Sequence, residues 1–159
     1  LLPQWGIPIM NTDESIVARL LRHPAGLLAL SDAGAHVDTL ADQGFATHLL
    51  GHWVRERQAL GWEEAVRLLT LVPALRYGFE DRGVIQPGKV ADLVLFDPQR
   101  VGPVRTELWN DLPGGASRLV QRAAGVPYVF VQGTPIVEDG RDTGARPGRI
   151  LRNHDRQAR

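Results

Sequence analysis

Asp32 closes the apolar run Leu27–Leu30 within LLALSDAGAH, and His36 follows it four residues later. A carboxylate at the C-terminal end of a buried strand can take a proton from water or hold a cation, and parallel-sheet enzymes keep their chemistry at that end. An aspartate also ends strands simply by accepting bonds from nearby backbone N–H groups. The residues themselves leave both roles open. The small residues Ala33, Gly34 and Ala35 between Asp32 and His36 allow a ligand or metal to approach the backbone closely, and they equally suit a turn.

His48 and His52 stand four apart on a predicted helix, a spacing that lets two imidazoles reach one metal ion. His48 is followed by Leu49 rather than by the glutamate of a metalloprotease signature. Leu49 and Trp53 belong to the apolar stripe, so the two histidines fall one position off it and are expected to be structural or exposed. His23, just before Pro24, suits a helix C-terminus, where it interacts with the dipole. His154 carries no signal. There is no glycine-rich phosphate loop, no G-x-S-x-G elbow and no H-x-H pair. A single aspartate cannot hold a catalytic metal, so Asp32 requires partners beyond these residues.

The elements that must position Asp32 follow from periodicity. Asn11 or Thr12 is expected to cap a helix with Asp13 and Glu14 in its first turn and Ile16, Val17, Leu20 and Leu21 on one face, ended by Pro24 and Gly26. Leu27–Leu30 then reads as a buried strand, and residues 37–43 (VDTLADQ) as the loop leaving its C-terminal end. Phe45, Leu49, Trp53 and Val54 mark an amphipathic helix running to about Leu60. A further helix starts at Trp62, with Ala65, Val66, Leu68 and Leu69 on its buried side, and Pro73 forces a kink or a fresh short helix to Tyr77. Before all of these, Trp5–Met10, with Pro8 inside it, suits a loop or an edge strand.

At Gly78 the character changes to short β-branched runs punctuated by glycine and proline: Val84–Ile85, Ala91–Phe96, Tyr128–Val131 and Ile136–Val137. Gly133–Thr134 is a two-residue hairpin signal. Arg118–Ala124 is expected to form a short helix, Arg141–Arg149 an irregular tail, and the residues from Asn153 a frayed end.

Composition excludes several classes of function. The chain has 159 residues, enough for a real core, and 43% hydrophobic with 23% charged residues marks a globular protein. Lys+Arg and Asp+Glu balance at 18 each, leaving no footprint for nucleic acid or an anionic membrane. The lack of cysteine excludes thiolate sites and disulfides, and a cytoplasmic location is the simpler expectation. No apolar run reaches the roughly 20 residues of a membrane span. Because the chain opens on Leu1 and its one methionine, Met10, lies within an apolar segment, a fragment is expected.

Four pieces of the sequence, in order, resemble the C-terminal part of an amidohydrolase-superfamily enzyme (amidohydrolase family 3) of the N-acyl-D-amino-acid deacylase, or D-aminoacylase, type. They are LRHPAGLLALSDAGAH, LLTLVPALRYGFEDRGVIQPGKVADLVLFD, YVFVQGTPIVEDG and TGARPGRILR. The PGKVADLVLFD piece occurs throughout the superfamily, so a cyclic amidohydrolase of the dihydroorotase or hydantoinase kind shares it; a non-catalytic β-rich interaction module is the alternative from a different class. The resemblance implies an α/β plus β fold: the C-terminal end of a metal-dependent (β/α)8 barrel over residues 1–77, part of a small β-sandwich over 78–152, and a tail over 153–159. It implies a divalent metal, zinc, held mostly by ligands outside this chain, with Asp32 as both metal ligand and proton-transfer residue. That aspartate would accept the proton of a metal-activated water attacking an amide carbonyl and hand a proton to the leaving amine. It implies a substrate-binding role for His36 and a small-molecule amide as substrate. In the deacylases an arginine in the following loop is expected to bind the substrate carboxylate, and here that loop, VDTLADQG, contains none. Exposed barrel edges and an unpaired sandwich face would favour association into homo-oligomers.

Overall fold

A computed structural model of the chain describes residues 12–28, 31, 32 and 34–151. The readings for Trp5–Met10, for Ala29 and Leu30, and for the residues from Asn153 lie outside the described residues.

Helix α1 spans Glu14–Leu21, and its N-cap is Asp13, whose carboxylate accepts from the backbone N–H groups of Ser15 and Ile16. The cap is therefore the residue after Thr12 rather than Asn11 or Thr12, because Asp13 is placed to satisfy the free N–H groups of the first turn. Val17, Ala18 and Leu21 pack on the core, whereas Ile16 and Leu20 are exposed. The apolar face is narrower than the sequence pattern implies.

Leu27, Leu28, Ser31 and Asp32 carry no strand. At these four residues the expected strand is not formed: a β-strand exists through bonds to a neighbour, and no described strand bonds to them. After the loop, α2 (Phe45–His48) continues directly into a π-helical segment, Leu49–Glu56. The expected helix thus stops before Leu60, and its second part is wound more widely than an α-helix, with Arg57 N–H donating to the His52 carbonyl at 2.8 Å. Helices α3 (Trp62–Leu69) and α4 (Leu71–Tyr77) follow, the second beginning afresh around Pro73 and ending at Gly78 in a left-handed cap. Ala65 and Leu68 are buried, but Val66 is exposed.

Beyond Gly78 the described structure is built of short strands. Strands β1 (Leu93–Leu95), β6 (Tyr128–Val131), β7 (Thr134–Glu138) and β8 (Arg141–Asp142) form one antiparallel sheet in the order β1-β6-β7-β8. β2 (Gly102–Pro103) pairs with β5 (Ala123–Ala124), and β3 (Glu107–Trp109) with β4 (Arg118–Val120). The expected helix at Arg118–Ala124 is therefore two strands. Leu119 and Val120 find partners in Leu108 and Glu107, and tertiary pairing overrides a weak local preference. Val84 and Ile85 form no strand, and Ile85 is 90% exposed. The β6–β7 turn consists of Gln132 and Gly133, with φ of 52° and 76°, because Val131 pairs directly with Thr134. Two positive φ values match the right-handed twist of the strands, so the hairpin sits one residue earlier than Gly133–Thr134. Within the expected tail, Arg141 and Asp142 join the sheet.

One buried cluster holds the helices to the β part. Leu49, Leu50, Trp53 and Val54 meet Ala65, Leu68 and Val101, with Phe96 and Val126 packed against them. Gly51 lets the Val101 carbonyl reach the helix, since a Cβ there would lie 2.7 Å from that oxygen. Among the described residues no helix is long and apolar enough to cross a membrane.

Candidate functional site

Asp32 and His36 stand on consecutive tight turns rather than on a strand end. The Asp32 carbonyl accepts from Ala35 N–H at 3.0 Å, across Gly34 at φ 96°, a conformation that favours glycine. The His36 carbonyl then accepts from the N–H groups of Thr39 (2.9 Å) and Leu40 (2.8 Å) and from the Thr39 hydroxyl (3.3 Å). Both residues are exposed. Turn formation brings them into one short loop. Neither lines the mostly apolar cavity of about 810 Å³ that opens beside α3 and α4, whose walls include Leu28, Phe45, Leu69, Pro73, Val94 and Phe96.

The loop is tied down by a distant hairpin. Leu119 N–H on β4 donates to the Val37 carbonyl at 2.6 Å, one residue past His36. At the other end of the loop, Gly44 N–H donates to Gln121 Oε1 at 3.2 Å, and Gln121 Nε2 donates to the Thr106 hydroxyl at 3.4 Å. Gly44 also caps α2: its carbonyl accepts from His48 N–H at 2.8 Å and from the Thr47 hydroxyl at 3.0 Å. Sequence reasoning missed Gln121 entirely. No local pattern marks a contact across 77 residues of chain.

His48 and His52 stack face to face, with centroids 4.8 Å apart and planes 12° from parallel. His52 joins α1 to the segment that follows α2. His52 Nε2 lies 3.0 Å from Glu14 Oε1 and His52 Nδ1 3.3 Å from Glu56 Oε2, while Arg57 pairs with Glu14 at 2.6 Å and Arg55 with Glu56 at 3.1 Å. The hydrogen bond from Arg57, and then that from His52, hold the Glu14 carboxyl below the usual range. Glu56 is lowered first by Arg55 and then by His52. Burial, with the charge of His52 beside it, lowers the His48 imidazole. His23 stands just past the end of α1, where its backbone N–H donates to the Leu20 carbonyl at 3.1 Å and its Nδ1 accepts from Ala25 N–H at 3.2 Å.

As a cation site the described residues are incomplete. Among them no group of three or more His, Cys, Asp or Glu side chains could hold a metal ion. Asp32 offers one exposed carboxylate, and a catalytic centre takes several protein ligands. The residues described here do not by themselves fit a resident metal.

The sequence model of the amidohydrolase family matches residues 8–137, which include the whole Asp32–Gly44 loop and the β3–β4 hairpin that ties it. The chain belongs to the amidohydrolase family. It is similar to a D-aminoacylase of Alcaligenes xylosoxydans xylosoxydans, 33% identical over 141 residues, covering 87% of this chain and 27% of that protein. It is similar also to an N-acyl-D-aspartate deacylase of the same organism, 35% identical over 143 residues, covering 87% of this chain and 26% of that protein. Among solved structures it resembles an N-acyl-D-glutamate deacylase from Bordetella bronchiseptica complexed with zinc and a phosphonate inhibitor that mimics the tetrahedral intermediate. That match has a TM-score of 0.54 and 29% identity, and it covers 82% of this chain and 27% of the other. This amidohydrolase chain thus spans about a quarter of the length of the curated relatives it matches.

Proposed function

We propose that the protein is a metal-dependent hydrolase of non-peptide C–N bonds, similar in activity to the N-acyl-D-amino-acid deacylases, with a small-molecule amide as substrate. The observation that carries this reading is the similarity to D-aminoacylase across 87% of the chain, at 33% identity. In this reading residues 1–77 are the C-terminal part of a (β/α)8 barrel, and residues 78–152 belong to a small β-sandwich. A cytoplasmic location belongs to the same reading.

Asp32 is the proton-transfer residue. Its carboxylate takes a proton from the water that attacks the amide carbonyl and returns one to the amine nitrogen as the C–N bond breaks. An exposed position on a hydrogen-bonded turn suits this task, because the carboxylate meets solvent while its backbone is held by Ala35. Among the described residues Asp32 would be the one ligand to a divalent metal, zinc as in the Bordetella deacylase complex; the other ligands would come from residues outside those described, and the metal would supply activation of the attacking water. His36, on the next turn, contacts the substrate.

The test is Asp32→Asn and Asp32→Ala in the full-length gene product, assayed on N-acetyl-D-amino acids. Turnover is expected to fall by about 10²–10⁴-fold, the usual contribution of a positioned acid–base group, with the far-UV circular dichroism unchanged. Activity retained in both variants would remove Asp32 from the mechanism.

A further inference from the structure

We infer that Gln121 is a positioning residue for the substrate loop: its amide sets where the segment between His36 and Gly44 stands, and so how tightly the amide substrate is bound. The inference rests on the reading of Asp32 and His36 as site residues.

Three observations lead to it. First, the loop is fastened at both ends to neighbouring residues of one segment, at Val37 by the backbone of Leu119 in β4 and at Gly44 by the side chain of Gln121 just past that strand. Two tethers from residues so close in the chain tie the position of the loop to that segment. Second, Gln121 uses both halves of its amide, accepting from Gly44 N–H and donating to the Thr106 hydroxyl on the chain that leads into β3. The carboxamide orientation is thereby fixed rather than free to rotate. Third, the fit at Gly44 leaves no space: a Cβ there would collide with Gln121 Oε1 and lie 3.1 Å from Pro103 Cβ. Gly44 is also the N-cap of α2, and an N–H left without a partner at a half-buried helix start is costly.

The chemical consequence lies at His36. It sits one residue before the Val37 anchor, and its carbonyl organises the turn through Thr39 and Leu40. Releasing the Gly44 end gives the loop a freedom that substrate binding must then remove. The cost appears in binding more than in the bond-breaking step, because the His36 carbonyl is bonded to Thr39 and Leu40 inside the loop, whereas the Asp32 carbonyl is bonded to Ala35 ahead of it.

The experiment compares Gln121→Leu, Gln121→Glu and Thr106→Val in the full-length gene product, with N-acetyl-D-glutamate and N-acetyl-D-aspartate as probe substrates and hydrogen exchange read over residues 37–44. Gln121→Leu is expected to raise KM about tenfold with kcat within about twofold, the pattern of lost uniform binding, and to speed exchange in the loop. Gln121→Glu keeps an acceptor for Gly44 N–H and is expected to restore most of the KM. Thr106→Val, which frees only the far end of the amide, is expected to fall between the two. Unchanged loop exchange in Gln121→Leu overturns the inference with or without measurable activity. So does a KM that stays at the wild-type value. Asp32→Asn in the same protein separates the two ideas. Full activity there sinks the proton-transfer reading alone, whereas its loss alongside a wild-type KM in Gln121→Leu sinks only the positioning role.

Discussion

His52 Nε2 lies 3.0 Å from Glu14 Oε1 and so fastens α1 to the π-helical segment that follows the Asp32 loop. Arg57 holds the second oxygen of the same carboxylate at 2.6 Å, so Glu14 is gripped from both sides. Its pKa is lowered in the folded chain. A lowered carboxyl contributes stability above the ordinary glutamate pKa and loses it as pH falls through the folded value. We expect the Glu14 carboxyl resonance to titrate below that of unfolded glutamate, and Arg57→Met to move its midpoint upward. An unchanged midpoint in Arg57→Met would remove Arg57 as the main cause.

Leu49 is 2% exposed and sits where the π-helical segment meets Val101, itself fully buried. Leu49→Ala is expected to cost about 2–5 kcal/mol by urea denaturation, the sum of lost burial and the cavity left behind. Ile85→Ser provides the contrast: at 90% exposure it is expected to change stability by no more than about 0.5 kcal/mol.

Gly125 is a position where two constraints coincide. Its φ is 68°, and a Cβ would lie 2.5 Å from Val101 N and 2.7 Å from Arg100 C, both backbone atoms that cannot rotate away. Gly125→Ala should therefore destabilise by more than about 2 kcal/mol, and by more than Gly140→Ala, where φ is 73° but no atom lies within 4 Å. Equal losses at the two sites would show that strain alone matters.

Zinc retention offers a separate check. Among the described residues no three ligands come together, so the purified 159-residue chain is expected to hold well under one equivalent of zinc after dialysis and to show no amidase activity. Stoichiometric zinc with clear turnover would contradict the division of ligands proposed above.

Local chemistry made much of the helical half legible. Helix α3 begins at Trp62 and α4 ends at Tyr77 as the glycine and proline punctuation dictates, and Leu49, Trp53 and Val54 are buried as their spacing implies. The β6–β7 hairpin was legible to within one residue, because a positive-φ glycine must lie in such a turn. These features depend on residues three or four apart, and the sequence carries that information directly.

Pairing partners were beyond its reach. Arg118–Val120 is a strand because Glu107–Trp109 lies alongside it, and Leu27 and Leu28 are not in one because no described strand lies beside them. The same holds for the candidate site. That Asp32 and His36 stand close together follows from the residue order, since only three small residues separate them. What holds their loop depends on packing: Leu119 and Gln121 reach it from far along the chain. A hydrogen bond between distant segments is set by how the whole chain packs, and no local pattern of residue types encodes it.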